Sequence, residues 1–152
     1  MGTCLTVDQG NSTVGLVLWD LAEDGDEAHV AARPSSLDEV PGSPDRVLLS
    51  SVADPARRAA LVAELEARWG AAPVPDHGLV LAIRHPETCG LDRLFAARAA
   101  AVLRPDGAVV VDCGTALTVD LVRDGTFEGG AIAPGPALLV RALAEGGAQL
   151  HA

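Results

Sequence analysis

One phrase occurs twice in this chain and divides it into two halves of like design. Near the start stands Val7-Asp8-Gln9-Gly10-Asn11-Ser12-Thr13-Val14, and later Val111-Asp112-Cys113-Gly114-Thr115-Ala116-Leu117-Thr118-Val119-Asp120. Each copy ends an apolar run and places a carboxylate there. A glycine then turns the chain, and small hydroxyl or amide side chains follow. β-prone runs on either side of such a turn make a hairpin, because glycine accepts backbone angles that other residues resist.

The segments around each copy follow one plan. Residues 3–8 and 14–20 read as strands, Asp24-Gly25-Asp26 as a turn, and residues 27–32 as a third strand. Residues 33–45, rich in Pro, Ser, Gly and Asp, read as a loop. Arg46 to Val52 is a further strand. Asp54-Pro55 then opens a helix, with Asp as cap and Pro in the first turn, running to Trp69 and stopping at Gly70. Leu61, Leu65 and Trp69 mark its buried face, while Arg57, Arg58 and Arg68 read as solvated. Pro73 and Pro75 mark a loop, Leu79 to Ile83 a short strand, and Gly90 to Leu103 an alanine-rich helix. After the turn Arg104-Pro105-Asp106-Gly107 the strand–turn–strand plan restarts and continues to Ala133. A last helix spans Ala137 to Glu145. The expected division is therefore a first domain over 1–105 and a shortened second copy over 106–152, ending near Gln149-Leu150.

Charge narrows the chemistry. The net charge is −10 and the pI about 4.6, which argues against a nucleic-acid surface. All 11 basic residues are arginine. Without lysine, neither a Gly-Lys-Ser/Thr phosphate loop nor a protein-kinase site is available. Any bound phosphate must be held by backbone N–H groups, arginine and metal. No apolar run reaches the roughly 20 residues of a membrane helix, and no secretory signal is visible. Cys4, Cys89 and Cys113 have neither disulfide nor zinc spacing and read as free thiols of a reducing compartment. His29, His77, His85 and His151 lack ligand spacing.

The repeated turn suits phosphate. A tight turn aims successive N–H groups into one concavity, and Gly10 lets that backbone come close. Asn11, Ser12 and Thr13 add donors. Asp8 at the strand end could hold Mg²⁺ directly or through water, since magnesium takes few carboxylates. An ordinary hairpin also favours Asp and Asn, but two Asp-x-Gly turns opening two like halves point to paired half-sites around one nucleotide. Thr118 and Asp120 read as extending the second polar face. Between the copies lies Cys89-Gly90-Leu91-Asp92-Arg93. An acid there is what a helix's first turn favours without any ligand. It also suits proton transfer from a hydroxyl, with Arg93 neutralising a carboxylate or a developing phosphoryl charge. Gly129-Gly130-Ala131-Ile132-Ala133-Pro134-Gly135 allows either close approach of a ligand or a bulge and helix entry.

Taken together and in order, these elements and Ser50-Ser51-Val52 resemble the type III pantothenate kinases, over the whole chain. The resemblance implies an α/β, ribonuclease H-like fold of the actin and sugar-kinase type, with one complete domain and a truncated second copy. It implies ATP-dependent phosphorylation of pantothenate, the first step of coenzyme A synthesis, by a cytoplasmic homodimer that binds neither nucleic acid nor membrane. Asp8, Gln9, Gly10, Asn11, Ser12, Thr13, Val14 and Gly15 would form the first phosphate loop, and Thr115 would contact ATP. Asp112 would ligate a monovalent cation, potassium or ammonium. Gly90, Leu91, Asp92 and Arg93 would bind pantothenate, with Asp92 as catalytic base. Two departures stand out. Ile83 occupies the position where the family usually carries a tyrosine, and family chains run longer. The alternative is a relative that keeps a nucleotide half-site without kinase chemistry.

Overall fold

The computed structural model describes residues 2–23, 27–70 and 76–146. The expected turn at Asp24-Gly25-Asp26, the loop at Pro73 and Pro75, His151, and the end near Gln149-Leu150 lie outside the described residues. The chain is α/β and forms two compact units, Met1–Asp76 and His77–Ala152.

In the first unit, β1 (Gly2–Gln9), β2 (Val14–Leu21), β3 (Ala28–Ala32) and β4 (Arg46–Ser51) form a mixed sheet in the order β3-β2-β1-β4. β1 runs antiparallel to β2 and parallel to β4. Alternation along β1 puts Leu5, Val7 and Gln9 on one face, which is buried, and Thr6 and Asp8 on the other. The helix α1 (Pro55–Trp69) contributes Leu61 and Leu65 to the same core as Leu5, Val7, Leu16, Leu18 and Leu49. Its boundaries follow the sequence signals. The Asp54 carboxylate accepts from the Ala56 and Arg57 N–H groups, Pro55 stands in the first turn, and Gly70 ends the helix with φ 88°. Trp69 packs against the core edge as expected. The loop before β4 includes a short 3-10 turn at Leu37–Glu39.

In the second unit, β5 (Val80–Leu81), β6 (Ala108–Cys113), β7 (Ala116–Arg123) and β8 (Thr126–Pro134) form a sheet in the order β5-β8-β7-β6. β6, β7 and β8 are an antiparallel meander like β1, β2 and β3, as the repeated phrase implies. The helix α2 (Leu91–Leu103) covers one face through Leu94 and Ala97, which pack with Leu79, Val122 and Phe127. Val109, Val111, Val119 and Leu121 stand on the opposite face and are exposed. The helix α3 (Pro136–Gly146) follows directly after β8.

The sequence sets a boundary at residues 105 and 106, where the strand pattern restarts, whereas the compact units divide at 76 and 77. The physical reason is packing. The apolar face of α2 is buried against β6 and β7, and β5 pairs in parallel with β8. The helix that carries Gly90-Leu91-Asp92-Arg93 thus shares a core with the second Asp-x-Gly hairpin.

Candidate functional site

The first turn is built on the end of β1. Asp8 is exposed there, with Gly15 beside it on β2 and Ser50 on β4. The Gly10 N–H donates to the Thr13 carbonyl at 2.9 Å and closes the turn. Asn11, Ser12, Thr13, Val14 and Gly15 are exposed. Gln9 is not: its side chain is 3% exposed and points into the core with Leu5 and Val7. Its Oε1 accepts from Ser51 Oγ at 2.8 Å, and its Nε2 donates to the Arg57 carbonyl at 3.2 Å. Arg57 in turn donates from Nη1 to the Asn11 carbonyl at 2.6 Å. The turn is therefore braced on the first turn of α1 from two sides. Arg57 is exposed, as its place on the solvated face of the helix predicts, and no sequence signal marks its bond to the turn.

The second turn repeats the plan one residue shorter. Asp112 is exposed beside Thr118 on β7, and the Gly114 N–H donates to the Ala116 carbonyl at 2.9 Å. Thr115 is exposed, and its carbonyl accepts from the Gly135 N–H at 2.9 Å. A side chain at position 135 would collide with the Gly114 carbonyl oxygen, so only glycine lets the Pro134-Gly135 segment lie across this turn. Thr118 and Asp120 do not extend an open polar face. They are 7% and 2% exposed, on the face of the sheet that α2 covers.

The start of α2 supplies a third group. Gly90 caps it without a side-chain bond, and Asp92 lies in the first turn, half-buried. Asp92 Oδ1 accepts from the Arg93 N–H at 2.8 Å. Arg93 reaches from the helix to β7. Its Nε donates to Asp120 Oδ2 at 3.0 Å, and its Nη2 pairs with Asp120 Oδ1. The guanidinium also lies 5.8 Å from the Phe127 ring centroid. The bond to Asp120 stabilises the charged form of Arg93, raising its pKa. Burial raises the nearby Cys89 thiol, which argues against a reactive thiolate there. Asp120 was legible as an inward position, since it alternates with Thr118 and Val122 along β7; such a buried carboxylate calls for a partner.

A cation site fits Asp8 in one respect. The Ser50 hydroxyl, on the residue registered with Asp8, is buried and has no hydrogen-bond partner among the described residues. Among the described residues no three His, Cys, Asp or Glu side chains come together as a metal cage. A carboxylate beside a hydroxyl is a donor pair that a hard ion could complete with waters and phosphate oxygens. His77 Nδ1 accepts from the Leu79 N–H, and His29 and His85 lie near Glu27 and Glu87 on the surface.

A family model described as type III pantothenate kinase matches residues 4–152. A type III pantothenate kinase from Herminiimonas arsenicoxydans is 37% identical over 167 aligned positions, covering 96% of this chain and 64% of that protein. The one from Halorhodospira halophila is 41% identical over 115 positions, covering 71% of this chain and 45% of that protein. The one from Hyphomonas neptunium is 49% identical over 74 positions, covering 48% of this chain and 29% of that protein. The chain spans less than two thirds of the length of these relatives. Two solved structures share the fold. A Campylobacter jejuni protein described as a Baf family transcriptional activator has a TM-score of 0.55 at 20% identity, with 97% of this chain and 63% of that one covered. A Ppx/GppA family member from Aquifex aeolicus has a TM-score of 0.50 at 16% identity, with 95% and 54% covered.

Proposed function

The chain belongs to the type III pantothenate kinase family, and from that premise we propose that it transfers the γ-phosphoryl group of ATP to the hydroxyl of pantothenate. One observation carries the reading. Both Asp-x-Gly phrases fold as antiparallel hairpins of one plan, the second a residue shorter, with an exposed carboxylate at the strand end and a glycine N–H closing the turn. On this reading the fold is of the ribonuclease H-like actin and sugar-kinase type. The antiparallel meander of β6, β7 and β8 repeats that of β1, β2 and β3.

The division of labour follows from the groups available. Asn11, Ser12 and Thr13 offer small polar side chains and backbone to phosphate oxygens in a turn that the Gly10 N–H closes, and Gln9 fixes that loop from beneath. Thr115 offers a hydroxyl from the second turn. Asp8 would hold Mg²⁺, and Asp112 the monovalent cation; these ions supply charge neutralisation on the phosphates. Gly90 to Arg93 form the acceptor segment. Asp92 orients the substrate hydroxyl and accepts its proton as the bond to phosphorus forms. Phosphoryl transfer passes through a loose transition state, so positioning and charge neutralisation provide most of the rate. A chain without lysine can meet those demands with backbone dipoles, arginine and metal. The protein acts as a homodimer in the cytoplasm.

The test is incubation with ATP, Mg²⁺, K⁺ and pantothenate, with products identified by mass spectrometry. ADP and 4'-phosphopantothenate in equal amounts are expected. ATP binding with no phosphorylated pantothenate would overturn the proposal.

A further inference from the structure

We infer that Arg93 acts in the acceptor segment as a positioning residue, held by Asp120, and does not itself grip the carboxylate of the substrate. This rests on the proposed kinase reading and says how one part of that site works.

The fork of Arg93 is already engaged. Two of its donor atoms, Nε and Nη2, face the two oxygens of Asp120, which is 1% exposed in its side chain. The Phe127 ring packs against the same guanidinium. An arginine whose planar fork is matched to one carboxylate is a poor receptor for a second, because its charge is neutralised in place. The pair instead joins the first turn of α2 to the middle of β7. Successive helix residues are turned by about 100°. Anchoring Arg93 to the sheet therefore sets the rotation of α2, and with it the direction of Asp92 one residue earlier. The Arg93 N–H bond to Asp92 Oδ1 ties the two further.

The strand beyond Asp120 is shaped to allow this. Gly130 is registered with Asp120, and a Cβ there would collide first with the Val119 carbonyl oxygen and also lie 2.5 Å from Asp120 Oδ1 and 2.8 Å from its Cα. Any side chain at position 130 would displace the β7 backbone at Val119 and Asp120, and with it the carboxylate that Arg93 meets. This gives one glycine of the Gly129-Gly130 pair a role that involves no ligand.

The test compares the wild-type chain with Asp120→Asn, Arg93→Met and the paired replacement Arg93→Met/Asp120→Leu, all in the same pantothenate kinase assay. Thermal unfolding is followed in parallel. A small misplacement of a reacting group costs up to about 100-fold in rate. Accordingly, Asp120→Asn should lower kcat by about 10- to 100-fold and change KM for pantothenate by less than about threefold. Arg93→Met should lower turnover of pantothenate and of pantothenol, the neutral alcohol lacking the carboxylate, by the same factor. The paired replacement should restore thermal stability, since it leaves no buried unpaired charge, yet stay slow. Three results would overturn the inference: KM rising with kcat unchanged, preference for pantothenate over pantothenol collapsing in Arg93→Met, or full activity in the stable double variant. A wild-type chain that forms no phosphopantothenate would instead overturn the kinase reading and this inference with it.

Discussion

Replacing Gln9 by leucine tests whether the first turn is braced from the core. Gln9 makes two side-chain bonds, to Ser51 Oγ and to the Arg57 carbonyl. The Arg57 carbonyl lies within α1 and keeps its helical partner when Gln9 is lost, so that change costs about 0.5–1 kcal/mol. The Ser51 hydroxyl is different. Ser51 is 9% exposed, and without Gln9 it has no acceptor in the core, which costs about 1–2 kcal/mol. Gln9→Leu should therefore destabilise the first unit by about 2 kcal/mol in total. Ser51→Ala leaves Gln9 Oε1 without its donor and should cost about 1–2 kcal/mol. The double variant removes both halves of the buried bond and should cost only about 1 kcal/mol, which leaves a coupling of about 2–3 kcal/mol. Urea unfolding followed by tryptophan fluorescence reads this directly, because the two tryptophans of the chain, Trp19 and Trp69, both lie in the first unit. With a slope of about 1 kcal/mol per molar, Gln9→Leu should move the midpoint down by about 2 M. Strict additivity of the two single changes would refute the reasoning. So would an unchanged midpoint in Gln9→Leu accompanied by a large loss of ATP affinity, which would place the side chain on the ligand.

Other changes follow from single contacts. Asp54→Ala removes the acceptor for the Ala56 and Arg57 N–H groups and should cost about 1 kcal/mol in the same unfolding experiment, with Asp54→Asn nearly neutral. Gly135→Ala should disturb the second turn, because the added methyl meets the Gly114 carbonyl; a rise in KM for ATP larger than that for pantothenate is expected in steady-state kinetics. Asp45 accepts from the Thr3 N–H and hydroxyl, which hold its carboxyl below the usual range. A lowered folded pKa contributes stability above the unfolded pKa that is lost as pH falls through the folded value. Asp45→Asn should therefore flatten the acid side of the stability curve below about pH 4, and a curve parallel to wild type would refute it.

Much of this architecture is legible in the residues. The Asp54-Pro55 start and Gly70 stop of α1 match the helix, and the repeated phrase gives two meanders of the same hand-to-hand pairing. Four features escape, for two different physical reasons. Treating residues 8–15 as one ligand loop overlooks the strand's own alternation, which already places Gln9 with Leu5 and Val7 on the core face. Asp120 follows the same rule beside Thr118 and Val122. The pairing of β5 with β8, by contrast, joins a two-residue strand to a distant one and has no local signature. The contact from Arg57 to Asn11 is equally nonlocal, depending on how α1 is set against the sheet.

The central claim is that Asp92, at the start of α2, takes the proton of the pantothenate hydroxyl during phosphoryl transfer. The most direct measurement is the single-turnover rate of Asp92→Asn at saturating ATP and pantothenate, alongside pantothenate affinity by calorimetry. The account predicts a rate lower by about 100- to 10,000-fold, with affinity kept within a few-fold. Turnover unchanged from the wild-type chain would contradict it.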